Sequence, residues 1–353
     1  MSGIPVFSQE HARASVRTII DRVQPGDDME LFDDEFDDFF ISMLGEKIVF
    51  QAIITGGIRK GQIVTAEQSL SGFLLSTPRE VREGDSVLLI RNEAGWFWNG
   101  FFRSNKMLVL GIVFVLCVLL LGGKKGFNTI ISLALTCSAV FAVFIPSILS
   151  GKNIYLMAAL VCVYTTIMTL LIVIGYNKKS LAAALGCIGG IVIAGIIAII
   201  MDRVLPLTGF VDEHSRHLIN LPLDTQVSLR AIIFAGIIIG AMGAIMDVAM
   251  SISSSLWELK EKARVIKFET LYRSGLNIGR DIMGSMANTL ILAYIGSSLS
   301  VVLLLSVYSN SLVELLNMEM ILVEILQALA GSFGILLAIP LTAFFCSTLY
   351  LKE

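Results

Sequence analysis

The chain is poor in charge. Only 16% of its 353 residues are Asp, Glu, Lys or Arg, while 55% are hydrophobic. Mean hydropathy is +0.80. Such values argue against a chain that is soluble throughout. The net charge of −3 says little, because the charges are segregated. Acids crowd into DDMELFDDEFDD at 27–38, and bases gather in a few loops between apolar runs. No basic stripe of the kind that binds nucleic acid is present. The five cysteines, Cys117, Cys137, Cys162, Cys187 and Cys346, all lie inside apolar runs, and no CxxC occurs. They read as small hydrophobes, not as a disulfide framework or a metal set. None falls in the first 106 residues, so the redox compartment stays open. No cofactor is expected. The N-terminus also lacks the basic start and apolar stretch of an export signal.

What is abundant is apolar length. Seven hydrophobic runs follow one another at roughly 107–123, 127–149, 154–175, 181–201, 230–250, 282–307 and 320–350. Each is about as long as a helix that crosses a hydrocarbon core of about 30 Å. The expected fold is an α-helical polytopic membrane protein of about seven spans, occupying 107–353. Residues 1–106 read as a separate soluble β-rich module. Strand-like runs at 12–23, 47–55, 62–69, 86–92 and 95–103 are separated by turn signals such as Gly56-Gly57 and Glu83-Gly84-Asp85. That pattern predicts a small barrel or sandwich. Between the first two strands, Phe32, Phe36, Phe40 and Met43 recur at helical spacing with acids between them. A helix packed on the barrel, a cation site among Asp33, Asp34, Asp37 and Asp38, and an acidic loop all fit. Trp96, Phe97, Trp98, Phe101 and Phe102 precede the first run. They read as an interfacial belt or as core of the last strand.

Loop charges predict an orientation. Loops after the first, third and fifth runs carry Lys124 and Lys125, then Lys178 and Lys179, then Lys260, Lys262, Arg264, Lys267, Arg273 and Arg280. The opposite loops hold Lys152, then Arg203, Arg216 and Arg230, then no base. The positive-inside rule puts the first set in the cytoplasm. The expected location is the cell membrane, with the β-module outside and the C-terminus cytoplasmic. Moving about 100 residues across without a visible signal conflicts with this placement. The consistency of the charge bias is the reason to keep it.

Two runs carry aspartates, and an ionisable group at membrane depth is a functional-site hypothesis by default. On the fifth run, Gly236, Gly240, Ala244, Asp247, Ser251, Ser254 and Glu258 follow steps of three and four and share one helix face. Its upper part is a small-residue groove, its lower part polar. On the sixth, Asp281, Gly284, Ser285, Asn288 and Thr289 form a similar stripe, with Arg280 as a candidate counter-charge. Converging stripes could relay protons or bind a cation. The bland alternative is that both aspartates are wetted helix-end groups paired with loop bases. The segment 256–276 between these runs reads as an amphipathic helix on the cytoplasmic surface. Gly186 and Gly190 on the fourth run form a packing face with Ala194 and Ala198. On the seventh, Glu324, Gln327, Gly331 and Gly334 share a face, and Pro340 predicts a kink. His214 and His217, beside Asp212 and Glu213, offer too few ligands for a metal site.

GAIMDVAMSISSSLWEL at 243–259 and GRDIMGSMANTLILAYIG at 279–296, with a small β-module before the spans, resemble the YibE/F-like family of bacterial membrane proteins. The resemblance covers about 46–350. It implies a multi-pass membrane protein and no particular reaction. Members of that family carry a further membrane helix before the β-module, which would supply the export signal. More weakly, 230–307 resembles the membrane half of Sec-type and RND-type proton-driven proteins. That likeness would make Asp247 a relay acid and Asn288 and Thr289 the polar patch facing it. A transporter or ion-coupled protein is therefore expected. The alternative is a scaffold whose β-module binds an envelope partner. An intramembrane aspartyl protease is disfavoured, since Gly279-Arg280-Asp281 is not GxGD, and no enzymatic activity is expected. The expected partners are the lipid bilayer and an envelope protein, with no nucleic acid. The sequence leaves the oligomeric state open.

Overall fold

A computed structural model describes residues 10–23, 46–57, 59–70, 79–93, 95–211, 215, 218, 227–263, 266–308 and 311–351. The acidic segment with Phe32, Phe36, Phe40 and Met43, its aspartates Asp33, Asp34, Asp37 and Asp38, and the group Asp212, Glu213, His214 and His217 lie outside the described residues. The chain forms two compact units, Met1–Leu116 and Cys117–Glu353.

In the first unit, strands β1 (Glu10–Val23), β2 (Glu46–Ile54), β3 (Ile63–Leu70), β4 (Ser86–Asn92) and β5 (Gly95–Phe101) close a barrel in the order β1-β2-β3-β5-β4. All pairings are antiparallel except β3 with β5. Alternation in sequence becomes alternation in space. Ala12, Ala14 and Val16 of β1, Ile48, Phe50, Ala52 and Ile54 of β2, Val64 and Ala66 of β3, and Val87 and Leu89 of β4 point inward. Gln68 occupies one of these inward slots and is fully buried. Its amide donates to the Arg79 carbonyl (3.1 Å) and accepts from the Val81 N–H (2.9 Å). The pair of bonds satisfies the buried amide and pins Val81 into the barrel core. Of the β5 aromatics, Trp96 is core, and Trp98 packs edge-on against Phe101 with ring centroids 5.5 Å apart.

The second unit is helical. The sequence expects seven spans; among the described residues, five helices are long and apolar enough to cross a membrane. The first, Ser104–Leu149, merges two expected runs. It comprises α1 (Ser104–Ser138), a π-helical turn (Ala139–Phe144) and α2 (Ile145–Leu149). Its continuity is interrupted at Gly123, whose φ of 51° and ψ of −128° are not helical. A Cβ on Gly126 would collide with the Val118 carbonyl. Residues eight apart in a straight helix lie about 12 Å apart along the axis. The chain therefore doubles back here, and only glycine adopts the required φ without strain.

The other four are α3 (Ile154–Ile174), α4 (Lys178–Val204), α5 (Leu229–Lys262) and α9 (Glu319–Leu351). The expected sixth run is instead the end of α6 (Phe268–Ser297) followed, after a break at Ser298, by α7 (Leu299–Tyr308). Glu269, Arg273, Arg280 and Asp281 make α6 too polar to count as a span by composition. The expected surface helix at 256–276 is likewise not one element. Its first part continues α5, and its second part opens α6. Both parts bury a leucine completely, Leu256 and Leu271, so burial in the bundle overrides the separate amphipathic helix. A short helix α8 (Leu312–Asn317) precedes α9.

Helices α4, α5 and α9 form the core, with α3 against α4 and α5, and α6 against α5 and α9. Their contact depends on missing side chains. A Cβ on Gly190 of α4 would stand 2.8 Å from Ala338 Cβ, the Gly334 carbonyl and Ile245 Cγ2. Gly186 faces Thr342 of α9 with no room for a Cβ, and Gly279 of α6 faces Ile339 in the same way. Near one end of the bundle, the Ser253 hydroxyl donates to the Lys179 carbonyl (2.8 Å). The Tyr350 hydroxyl lies 2.6 Å from that Ser253 oxygen and donates to the Ser253 carbonyl (3.0 Å). This bond set brings the Lys178/Lys179 end of α4, the Lys260/Lys262 half of α5 and the end of α9 to one side. On the other side Glu319 accepts from Thr208 N and Oγ1 (2.8 and 2.6 Å) and from Gly209 N, tying α9 to the segment after α4.

Two glycine substitutions separate packing from propensity. Gly190→Ala should destabilise by about 1–3 kcal/mol, because backbone on α9 must move. Gly243→Ala, where a Cβ meets nothing within 4 Å, should be neutral or stabilising by up to about 1 kcal/mol from helix propensity. Thermal unfolding in detergent checks both; equal shifts would contradict the α4–α9 contact.

Candidate functional site

Ile245 touches Gly190 and Gly334, which stand near the middle of α4 and α9. Asp247 is two residues further along α5, about 3 Å along the axis. It therefore sits near the midpoint of the bundle and not at its end. Ile245, Val248, Ala249 and Ile252 turn inward and are fully buried. Gly236, Gly240, Gly243, Asp247 and Ser251 turn the other way and are exposed, with Ala244 half-buried among them. The small-residue stripe of α5 is thus an open face flanked by the contacts with α3 and α6. Asp247 makes no hydrogen bond and no ion pair among the described residues. Its carboxylate is within electrostatic reach of the buried Cys187 thiol on α4.

The stripe of α6 lies elsewhere. Helix α6 buries Leu271, Gly275, Gly279 and Leu290 against α9 and α5. Asp281, Gly284, Ser285, Asn288 and Thr289 are all exposed on the opposite face. Ser285 and Thr289 bond back to the Ile282 and Ser285 carbonyls of their own helix (3.0 and 2.7 Å). Asp281, Asn288 and Arg280 form no ion pair or hydrogen bond among the described residues. The two stripes, which on sequence grounds could converge, share no hydrogen bond or ion pair among the described residues. Helical periodicity defines a stripe, but only tertiary packing decides which way it faces, and here burial of Leu290 and the two glycines turns the polar face outward.

What α6 does bring to α5 is Tyr294. A Cβ on Gly240 would collide with the Tyr294 hydroxyl, and one on Gly236 would stand 3.8 Å from Gln327 Nε2 of α9. Glu324 is half-buried one turn before Gln327. Tyr294 carries no periodicity signal of its own and escapes a reading of the sequence. The fourth-run glycines, Gly186 and Gly190, serve α9 and not a second chain.

Among the described residues there is also a cavity of about 290 Å³ lined in part by Tyr155, Asp202, Arg203 and Arg230, where α3, α4 and α5 meet. In sequence its arginines appear only as scattered loop charges. No cluster of three or more His, Cys, Asp or Glu that could hold a metal occurs among the described residues.

Whether the α5 stripe is wet can be read by thiol labelling. In a background with Cys117 and Cys137 replaced by Ser, Gly243→Cys and Ser251→Cys should react with a water-soluble maleimide. Val248→Cys, at a fully buried position, should not. Equal protection of all three would place the stripe against lipid.

No curated protein and no solved structure matches the chain. The model of one family, described as YibE/F-like protein, matches residues 110–352, which take in the apolar helices from Leu110 onward, the α5 stripe and α6. With its apolar helices and this match, the chain is a membrane protein and belongs to the YibE/F-like family.

Proposed function

We propose that the protein is a transporter or an ion- or proton-coupled membrane protein that uses Asp247. The observation that carries the reading is an unpaired carboxylate at mid-bundle, on an open face of glycine, alanine and serine. A carboxylate at membrane depth is costly, and one kept there without a basic partner suits a group that exchanges a proton or a cation. A structural aspartate would be paired and packed. The reading includes no enzymatic step. In this reading the Lys-rich ends of α4 and α5 are cytoplasmic and the barrel lies outside the cell membrane, as the loop charges suggest.

A second reading is a membrane scaffold whose barrel binds an envelope protein. It is favoured by the outward polar stripe Asp281, Asn288 and Thr289 of α6, a face better covered by protein than by lipid.

Asp247→Asn separates the two. The change keeps shape and removes the charge. Since no partner is lost, stability should change by less than about 0.5 kcal/mol. In reconstituted vesicles the variant should insert normally and lose any flux driven by a proton or cation gradient. Flux that survives the substitution across the pH range would sink the relay and leave the scaffold.

A further inference from the structure

We propose that Glu324, Tyr294 and Gln327 form an intramembrane binding site for one hard monovalent cation of the sodium class. The site lies where α5, α6 and α9 meet. Glu324 and Gln327 are three apart on α9 and share a face. Tyr294 reaches across from α6 to the backbone of α5 at Gly240, where any Cβ would displace its hydroxyl. Gly236, one turn earlier on α5, neighbours the Gln327 amide, whose Nε2 a Cβ there would meet at 3.8 Å. One glycine of α5 thus admits the phenol, and a second lies beside the amide.

The hydroxyl oxygen of Tyr294 and Oε2 of Glu324 are both buried, and neither has a hydrogen-bond partner among the described residues. The hydroxyl is within electrostatic reach of the carboxylate. Glu324 joins no ion pair among the described residues. Buried polar groups are nearly always partnered, and a buried carboxylate oxygen most of all. Two neighbouring orphans call for a shared partner.

The donor set selects its chemistry. Carboxylate, phenol and amide carbonyl are all oxygens, which suits a hard cation and not a thiophilic metal. The amide orientation is interchangeable, so Gln327 can present oxygen. One carboxylate balances one positive charge; calcium sites draw on more oxygens and more carboxylates. A proton on Glu324 would be expected to bond the Tyr294 oxygen directly, yet neither oxygen has a hydrogen-bond partner among the described residues.

This site stands on residues other than Asp247, and equilibrium binding reports on it without any flux, so the two readings fail separately. The test uses the purified full chain in detergent, with radioactive Na⁺ binding and thermal unfolding in NaCl against choline chloride at equal ionic strength and pH. The expected result is saturable binding and a higher melting temperature in Na⁺ than in choline. Glu324→Gln should abolish both, and Tyr294→Phe should weaken binding about tenfold or more. Should Glu324→Gln misfold, Gly240→Ala carries the test, because it displaces only the end of a side chain and should also weaken binding. No saturable binding by the unmodified chain, Na⁺ binding unchanged in Tyr294→Phe and Gly240→Ala, or stabilisation by protons alone would each overturn the proposal.

Discussion

The approach of α4 to α9 at Gly190 and Gly334 is the contact on which the helical unit depends. Each glycine's absent Cβ is filled by the other helix's backbone carbonyl and by Ile245 of α5. Three helices are locked at one level by atoms that are not there. In a membrane, where lipid is as apolar as leucine, helices gain little from burying large side chains. Close backbone approach supplies dispersion contacts instead. Many of the buried side chains of the bundle are accordingly small, among them Ala182, Ala183, Ala194, Ala241, Ala249, Ala338 and Ala343.

That geometry dictates where polarity can go. Once Ile245, Val248, Ala249 and Ile252 are committed to the α4–α9 contact, the opposite side of α5 must carry Gly240, Gly243, Asp247 and Ser251. The same logic turns α6. Gly275 and Gly279 press against Ala343 and Ile339 of α9, so Asp281 and Asn288 are left outside. The two polar stripes therefore have one cause and different surroundings. That of α5 is flanked by neighbouring helices, and that of α6 is not.

Much of this architecture is legible in the residues. The five strands appear within a residue or two of their expected ends, because alternation in QIVTAEQS or SVLLIRN has one solution in a half-buried sheet. The reversal between the first two runs is written in Gly122-Gly123-Lys124-Lys125, a break that permits the φ of 51° at Gly123. The α5 stripe follows from steps of three and four. Two things could not be read. Hydropathy counts apolar residues, so the uncharged run at 282–307 reads as one span after an amphipathic connector, whereas α6 begins at Phe268, carries its four charges in its first half, and ends at the break before α7. Periodicity assigns residues to a face without naming what that face meets. Asp281 and Asn288 looked like partners for Asp247 on spacing alone, while Tyr294, which does reach α5, stands among apolar neighbours with nothing in the sequence to mark it.

The open face of α5 runs past the Tyr294 hydroxyl and on to Asp247. Gly240, against the Tyr294 hydroxyl, lies two turns from Asp247 on the same side of the helix. Between them stand the small residues Gly243 and Ala244, and beyond Asp247 come Ser251 and the exposed Glu258. A stripe of this kind weakens α5 as a lipid-facing helix. It removes apolar surface where hydrocarbon would cover it, and its glycines lower helix propensity. Packing does not require that cost at Gly243, since no atom stands within 4 Å of a Cβ there. Gly243 is therefore a position on the α5 stripe whose smallness helix packing does not require.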